Sequence, residues 1–325
     1  VRQVAAGVGL LLLLAALTAP VHAGWRAETV PGLEEVWVTD AAEFGGSTWL
    51  ATGNQGVLEW RDGTVIRSFA APVIPHNEVQ SLALFEGKLW AGTLQGVAVW
   101  DGSEWVSTSV ATAFVGPSMS VKILLENCFL STDPKGSRLW LEPLSMGGRL
   151  MSRQAGGLDW EVFDPALGTI LNNITRVFDE GEDLWLGTTA SGIYAYRKGE
   201  RTIYNRGNGL LENQIVGLVR EGEVLVAGHR SGISRFEKGQ WVGVSDIPGA
   251  REITVTALGA VKAGGDWYLL IGSSDGLLVW DRTLDRVTHY DERNGFPESR
   301  VVAIRTIGDE VWVGTTRGVG RLRFE

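Results

Sequence analysis

The chain has 325 residues, 44% of them hydrophobic and 21% charged, the balance of a globular protein that can bury a large core. A formal charge of −9 without any basic stripe excludes a nucleic-acid partner, because phosphate binding needs one. The single cysteine, Cys128, cannot close an internal disulfide, so the fold has to stand on burial alone.

Residues 1–23 read as a signal peptide. Arg2 supplies the positive end, residues 8–17 an apolar run, and Val21-His22-Ala23 a small-residue cleavage signal. The run is too short for a membrane span, which needs about 20 residues. Cleavage near Ala23-Gly24 would place the mature protein in the periplasm or outside the cell.

From residue 48 onward one phrase returns seven times. An apolar run ends in Gly-Thr or a variant of it, a polar turn closes on Gly, and an alternating run follows. The copies begin at Thr48, Leu89, Leu139, Leu184, Val224, Leu269 and Val311, 40 to 50 residues apart. Period-two alternation across a Gly-bounded turn is a β-hairpin, and the spacing is that of propeller blades. Each repeat supplies four strands, so residues 24–325 are expected to form one all-β domain. That domain is a seven-bladed β-propeller of four-stranded antiparallel blades.

The expected inner strands are 35–39, 79–84, 121–125, 174–178, 215–219, 255–259 and 301–305. Tryptophans keep register with the repeat. Trp49, Trp90, Trp140, Trp185 and Trp312 fall in second strands, Trp60, Trp100 and Trp280 end third strands, and Trp105, Trp160 and Trp241 lie in fourth strands. Recurrence at fixed places assigns these rings to the wedges between blades. The last repeat stops after its third strand, while Gly24-Trp25-Arg26 resembles the fourth strands elsewhere. Residues 24–30 should therefore close the last blade and remove its open edge. The third repeat, 106–160, is degenerate: Glu142-Pro143 replaces Gly-Thr, and its strand boundaries are not legible.

LWLGTTASGIYAY, LWAGTLQGVAVW and VWVGTTRGVGRL, with the lead-ins NGLLENQIVGL and NGFPESRVVAI, resemble the two-component-regulator propeller repeat. The resemblance covers nearly all of 24–325. It implies a seven-bladed, ligand-sensing propeller of the kind found in membrane-bound hybrid histidine kinases. No transmembrane helix, kinase or second domain follows the repeats here. The chain thus looks like the propeller part exported alone, with signalling left to a separate protein.

Loops joining second to third strands, and fourth strands to the next blade, share one face around the channel mouth. Residues there that depart from the repeat, His229, Arg230, Asp275 and Arg317, are the candidate ligand-binding groups, with Asn77, Asn173 and Asn213 from the interblade loops. The recurring Thr and Asn also have a local reading, as turn and strand-end residues satisfying the backbone. No nucleophile elbow, phosphate loop or metal-ligand spacing is present, so no catalytic residue, metal or cofactor is expected. The leading expectation is recognition of a small polar ligand, a glycan or a partner protein at the mouth. A propeller lyase or glycan hydrolase with a cross-blade His/carboxylate site is the alternative, and a protein-interaction scaffold the third reading.

Overall fold

A hairpin of alternating residues cannot bury both its faces, so each repeat needs a neighbour on either side. The computed structural model describes residues 24–325 except 116–118, 144–149, 158, 164–173 and 249–252, and it shows the repeats meeting that need in a ring. Seven sheets form, antiparallel apart from one added pairing in the third, and the inner strand of each touches the inner strand of the next all the way round. These inner strands are Val38–Phe44, Val79–Phe85, Cys128–Thr132, Ile174–Asp179, Gly217–Glu221, Val255–Ala263 and Val301–Ile307, for blades 1 to 7.

Blade 3 corrects the expected strand assignment. Its inner strand is Cys128–Thr132, and of the expected 121–125, residues 121–124 fall instead in the second arm of a hairpin formed by Val110–Val115 and Met119–Leu124. That hairpin pairs in parallel with the outer strand Trp160–Val162, so this sheet has six strands where the others have four. Blade 1 begins at Val38, not residue 35, because Glu35 adopts a left-handed turn conformation with φ 62°.

Among the described residues, eleven tryptophans, those read as wedges, are at most 9% exposed. They pack across blade boundaries: Trp49 of blade 1 sits 5.6 Å from Trp100 of blade 2, and Trp60 meets Trp312 of blade 7 edge-on at 5.3 Å. Edge contacts of this kind add about 0.5–1.5 kcal/mol beyond the area they bury.

Main-chain and side-chain bonds also tie the inner strands together. Thr39 Oγ1 donates to Val79 O at 2.5 Å, Thr175 Oγ1 to Ile215 O at 2.8 Å, and Thr256 Oγ1 to Val301 O at 2.6 Å. The N-terminal strand Trp25–Thr29 completes blade 7, in register from Trp25 opposite Phe324 to Thr29 opposite Gly320. Trp25 lies edge-on to Phe324 at 5.2 Å and to Tyr268 at 5.4 Å, and its carbonyl accepts from the Tyr290 hydroxyl at 2.8 Å. Glu28 pairs with Arg321 and Arg323, which holds its carboxyl below the usual range.

Deleting residues 24–30 should lower the melting temperature and promote association through the freed edge of 318–324. Trp25→Ala alone should cost about 2–3 kcal/mol, somewhat below the loss of a fully buried tryptophan. Calorimetry and light scattering check both; an unchanged midpoint in the truncation would contradict the closure.

Candidate functional site

Inner strands begin, and second strands end, on one face of the ring. There the conserved-looking Gly-Thr of the repeat proves to be a turn lock. Thr52 Oγ1 donates to Gly56 O at 2.8 Å and accepts from Gln55 N at 2.8 Å. Thr93, Thr188, Ser273 and Thr315 bond in the same way to Gly96, Gly192, Gly276 and Gly318. All five are buried. A side-chain hydroxyl thus replaces water for a turn carbonyl that the blade has covered.

His229 occupies this lock position in blade 5 and is fully buried. Its Nδ1 lies 3.1 Å from Gln214 O and its Nε2 2.7 Å from Ser234 Oγ. A carbonyl can only accept, so Nδ1 carries the proton and Nε2 accepts from the Ser234 hydroxyl. Burial holds the ring neutral by lowering its pKa. Arg230 is exposed, and its carbonyl accepts from Val255 N at 3.0 Å. Asp275 is exposed, and its carbonyl accepts from His289 Nε2 at 2.6 Å. Arg317 reaches Glu35 at the next blade through Nη2 at 2.8 Å and Nε at 3.2 Å, on the open surface.

Asn77 and Asn213 brace the interblade loops. The side-chain oxygen of Asn77 accepts from Ala71 N, and its carbonyl accepts from Gly56 N. Asn213 does the same for Arg206 N and Gly192 N. Asn173 lies outside the described residues. No hydrogen bond or ion pair among the described residues joins His229, Arg230, Asp275 and Arg317 to one another; they stand around a rim.

Inside that rim is a cavity of about 350 Å³, within the range of small-ligand sites. It reaches Trp37, whose ring covers Gly53 at the mouth, and all seven inner strands contribute to its wall. Four charged groups gather in and beside it, none of them singled out by sequence. Asp40 is fully buried; its carboxylate accepts from Ala41 N at 2.7 Å and Leu82 N at 2.9 Å and is paired with Arg305. Glu142 and Arg176 stand where blades 3 and 4 adjoin.

Glu142 occupies the position that is Ala51 in blade 1 and Gly in the other five. A Cβ at Gly92, Gly187, Gly272 or Gly314 would come within 2.3–2.7 Å of the next blade. Between blades 3 and 4, where Glu142 stands, the inner strands contact each other least. Burial pushes the Glu142 carboxyl up to about 7, against the attraction of Arg176 and the hydrogen bond from Ser131 Oγ at 3.4 Å. Arg176 donates to Thr175 O at 2.5 Å and lies 5.8 Å over the Phe129 ring. Among the described residues no carboxylate comes within ion-pair contact of it.

No family model matches the sequence, and no curated protein is similar to it. Solved structures share the fold. The extracellular domain of BT3049 from B. thetaiotaomicron, assigned to a hybrid two-component system, aligns with a TM-score of 0.71 at 16% identity, covering 92% of this chain and 41% of that one. The extracellular domain of BT4673 from the same organism, assigned to a one-component system, gives 0.66 at 15%, covering 91% and 39%. The chain thus spans about two fifths of the length of these sensor ectodomains. Virginiamycin B lyase from Staphylococcus aureus gives 0.64 at 13%, covering 93% and 100%. At such identities the likeness is one of fold, and it agrees with the resemblance of the repeats.

His229→Thr should restore the common lock and keep the fold, whereas His229→Ala leaves Gln214 O and the Ser234 hydroxyl bare, at about 1–3 kcal/mol. A buried neutral histidine binds fewer protons than the unfolded chain, so its contribution is complete above the unfolded pKa near 6.5 and falls as pH drops below it. Denaturant titrations between neutral and acid pH should show that loss in the wild type and a shallower one in His229→Thr; identical slopes would count against the assignment.

Proposed function

We propose that this chain works by recognition, as an exported sensor-type propeller that takes a small polar ligand or glycan, or a partner protein, at its channel mouth and reports to a separate signalling protein. The signal peptide at 1–23 and the periplasmic or secreted location belong to the proposal. The observation that carries it is the cavity within the ring, open beside Trp37 and lined from every blade. Support comes from the fold shared with extracellular domains assigned to two-component and one-component systems. Arg230, Asp275 and Arg317, with Asn77, Asn173 and Asn213, would form the rim that orients what enters, while His229 supports the rim from beneath.

The competing reading, a propeller lyase or glycan hydrolase, draws on the fold shared with virginiamycin B lyase. Against it stand the three histidines of residues 24–325. His229 is buried, His76 Nδ1 accepts from Glu78 N at 2.9 Å, and His289 donates to the main chain. Among the described residues none of them bonds to a carboxylate from another blade, as acid–base work would require.

A thermal-shift screen of the full chain against neutral sugars, oligosaccharides and organic acids tests the reading. At least one class should raise the midpoint, and Arg230→Ala or Arg317→Ala should diminish the rise without altering the unliganded midpoint by more than about a degree, since surface changes cost little. Silence across every class would contradict recognition of a small molecule at the mouth.

A further inference from the structure

Resting on the recognition reading, we propose that the channel is an anion receptor: Arg176 takes the carboxylate, phosphate or sulfate group of a small ligand, with Glu142 beside it as a proton-carrying gate. The geometry behind this is the uneven pairing of the four channel charges. Arg305 and Asp40 neutralise each other, Arg305 holding both carboxylate oxygens while the Ala41 and Leu82 amides complete the site. That pair is complete in itself and stitches blades 7, 1 and 2 together.

Arg176 has no such partner among the described residues. It donates to the neighbouring carbonyl of Thr175, its guanidinium carbon lies over the Phe129 ring, and the residue borders the cavity. A guanidinium offers five donors in a fixed fork that fits a carboxylate or phosphate edge-on. Walling such a cation with protein is unfavourable without a contact counter-ion, and the surroundings accordingly act to lower its pKa. An anionic group entering from the mouth would supply the missing contact.

Glu142 attracts Arg176 across the blade junction, yet no ion pair between them closes among the described residues. Glu142 is held by Ser131 of its own blade, and burial favours its protonated form. The charged groups facing it are Arg176 across the blade junction and, further round the channel, the Arg305–Asp40 pair. When Glu142 is protonated, Arg176 is uncompensated and the pocket attracts anions. When Glu142 ionises, its charge competes with the ligand. Anion affinity should therefore be high below about pH 7 and fall as Glu142 loses its proton above it. The ligand takes no part in a covalent step; one proton moves between solvent and Glu142.

Isothermal titration calorimetry of the full chain with inorganic phosphate, succinate and a neutral sugar, at pH 6 and pH 8, separates the possibilities. Phosphate alone binding would point to a free oxyanion, and succinate binding to an organic acid; either supports the receptor. The bound anion should weaken at least tenfold in Arg176→Gln and recover in part in Arg176→Lys. With sulfate, which stays doubly charged at both pH values, Glu142→Gln should bind about equally at pH 6 and pH 8, whereas the wild type weakens at pH 8. The uncharged double variant Glu142→Gln/Arg176→Gln, checked for an intact melting transition, guards against a folding artefact. Unchanged anion binding in Arg176→Gln, or no anion binding by the wild type, overturns the receptor. Binding of the neutral sugar alone would overturn it while leaving recognition at the mouth in place, and silence from all three in both this titration and the thermal screen would remove both.

Discussion

Everything in this molecule depends on the ring being shut. Seven sheets can bury their faces against one another only if the first also meets the last, and the contact that accomplishes this is the strand Trp25–Thr29 laid along 320–324. Main-chain bonds between Gly24 and Glu325 run in both directions, and Trp25 fills the aromatic recess made by Tyr268 and Phe324. An open ring would expose two long edges and splay the inner strands. The channel, its cavity and the placement of every side chain at the mouth would be lost together.

Closure also explains why so much of the mouth serves structure. The turn between second and third strands must be compact for the neighbouring blade to pack over it, and a buried hydroxyl is the smallest group that satisfies its carbonyl. His229 stands at the same position but turns its ring to the Gln214 carbonyl and the Ser234 hydroxyl. The carboxylates at the turn between inner and second strands of blade 4, on the opposite face, are similarly engaged: Asp179 accepts from the Trp140 indole at 2.8 Å, Asp183 pairs with Arg197 at 2.7 Å, and Glu180 with Arg220. Against these paired groups stands Arg176, which borders the cavity with no carboxylate in contact among the described residues.

Repeat register made the architecture legible. Recurring tryptophans, Gly-closed turns and a spare fourth strand at the front of the chain specify blades, their number and their closure, because each is a local pattern repeated in phase. Blade 3 resisted because its signal is split. The apolar stretch 121–125 looks like an inner strand, but 121–124 sit in an outer hairpin, and Cys128–Thr132, with its Ser and Thr, does not advertise burial. The channel charges were hidden for another reason. Arg176 and Arg305 lie in strands where a polar residue reads as solvent-facing, and only the ring's three-dimensional closure turns that face inward. Glu142 did leave a trace, as the place where Gly fails. Its meaning depends on the sparser contact between the inner strands of blades 3 and 4, which no single sequence displays.

Amide hydrogen exchange along Trp25–Thr29 is the most direct measurement of the closed ring. If the N-terminal strand is integral to blade 7, the amides that it turns toward 318–325, those of Gly24, Arg26, Glu28 and Val30, exchange with the slow, shared rate of Gly318–Phe324 and of the inner strands, at the free energy of global unfolding. Exchange of those amides at the rate of a frayed terminus, with the rest of the sheet still protected, would contradict it.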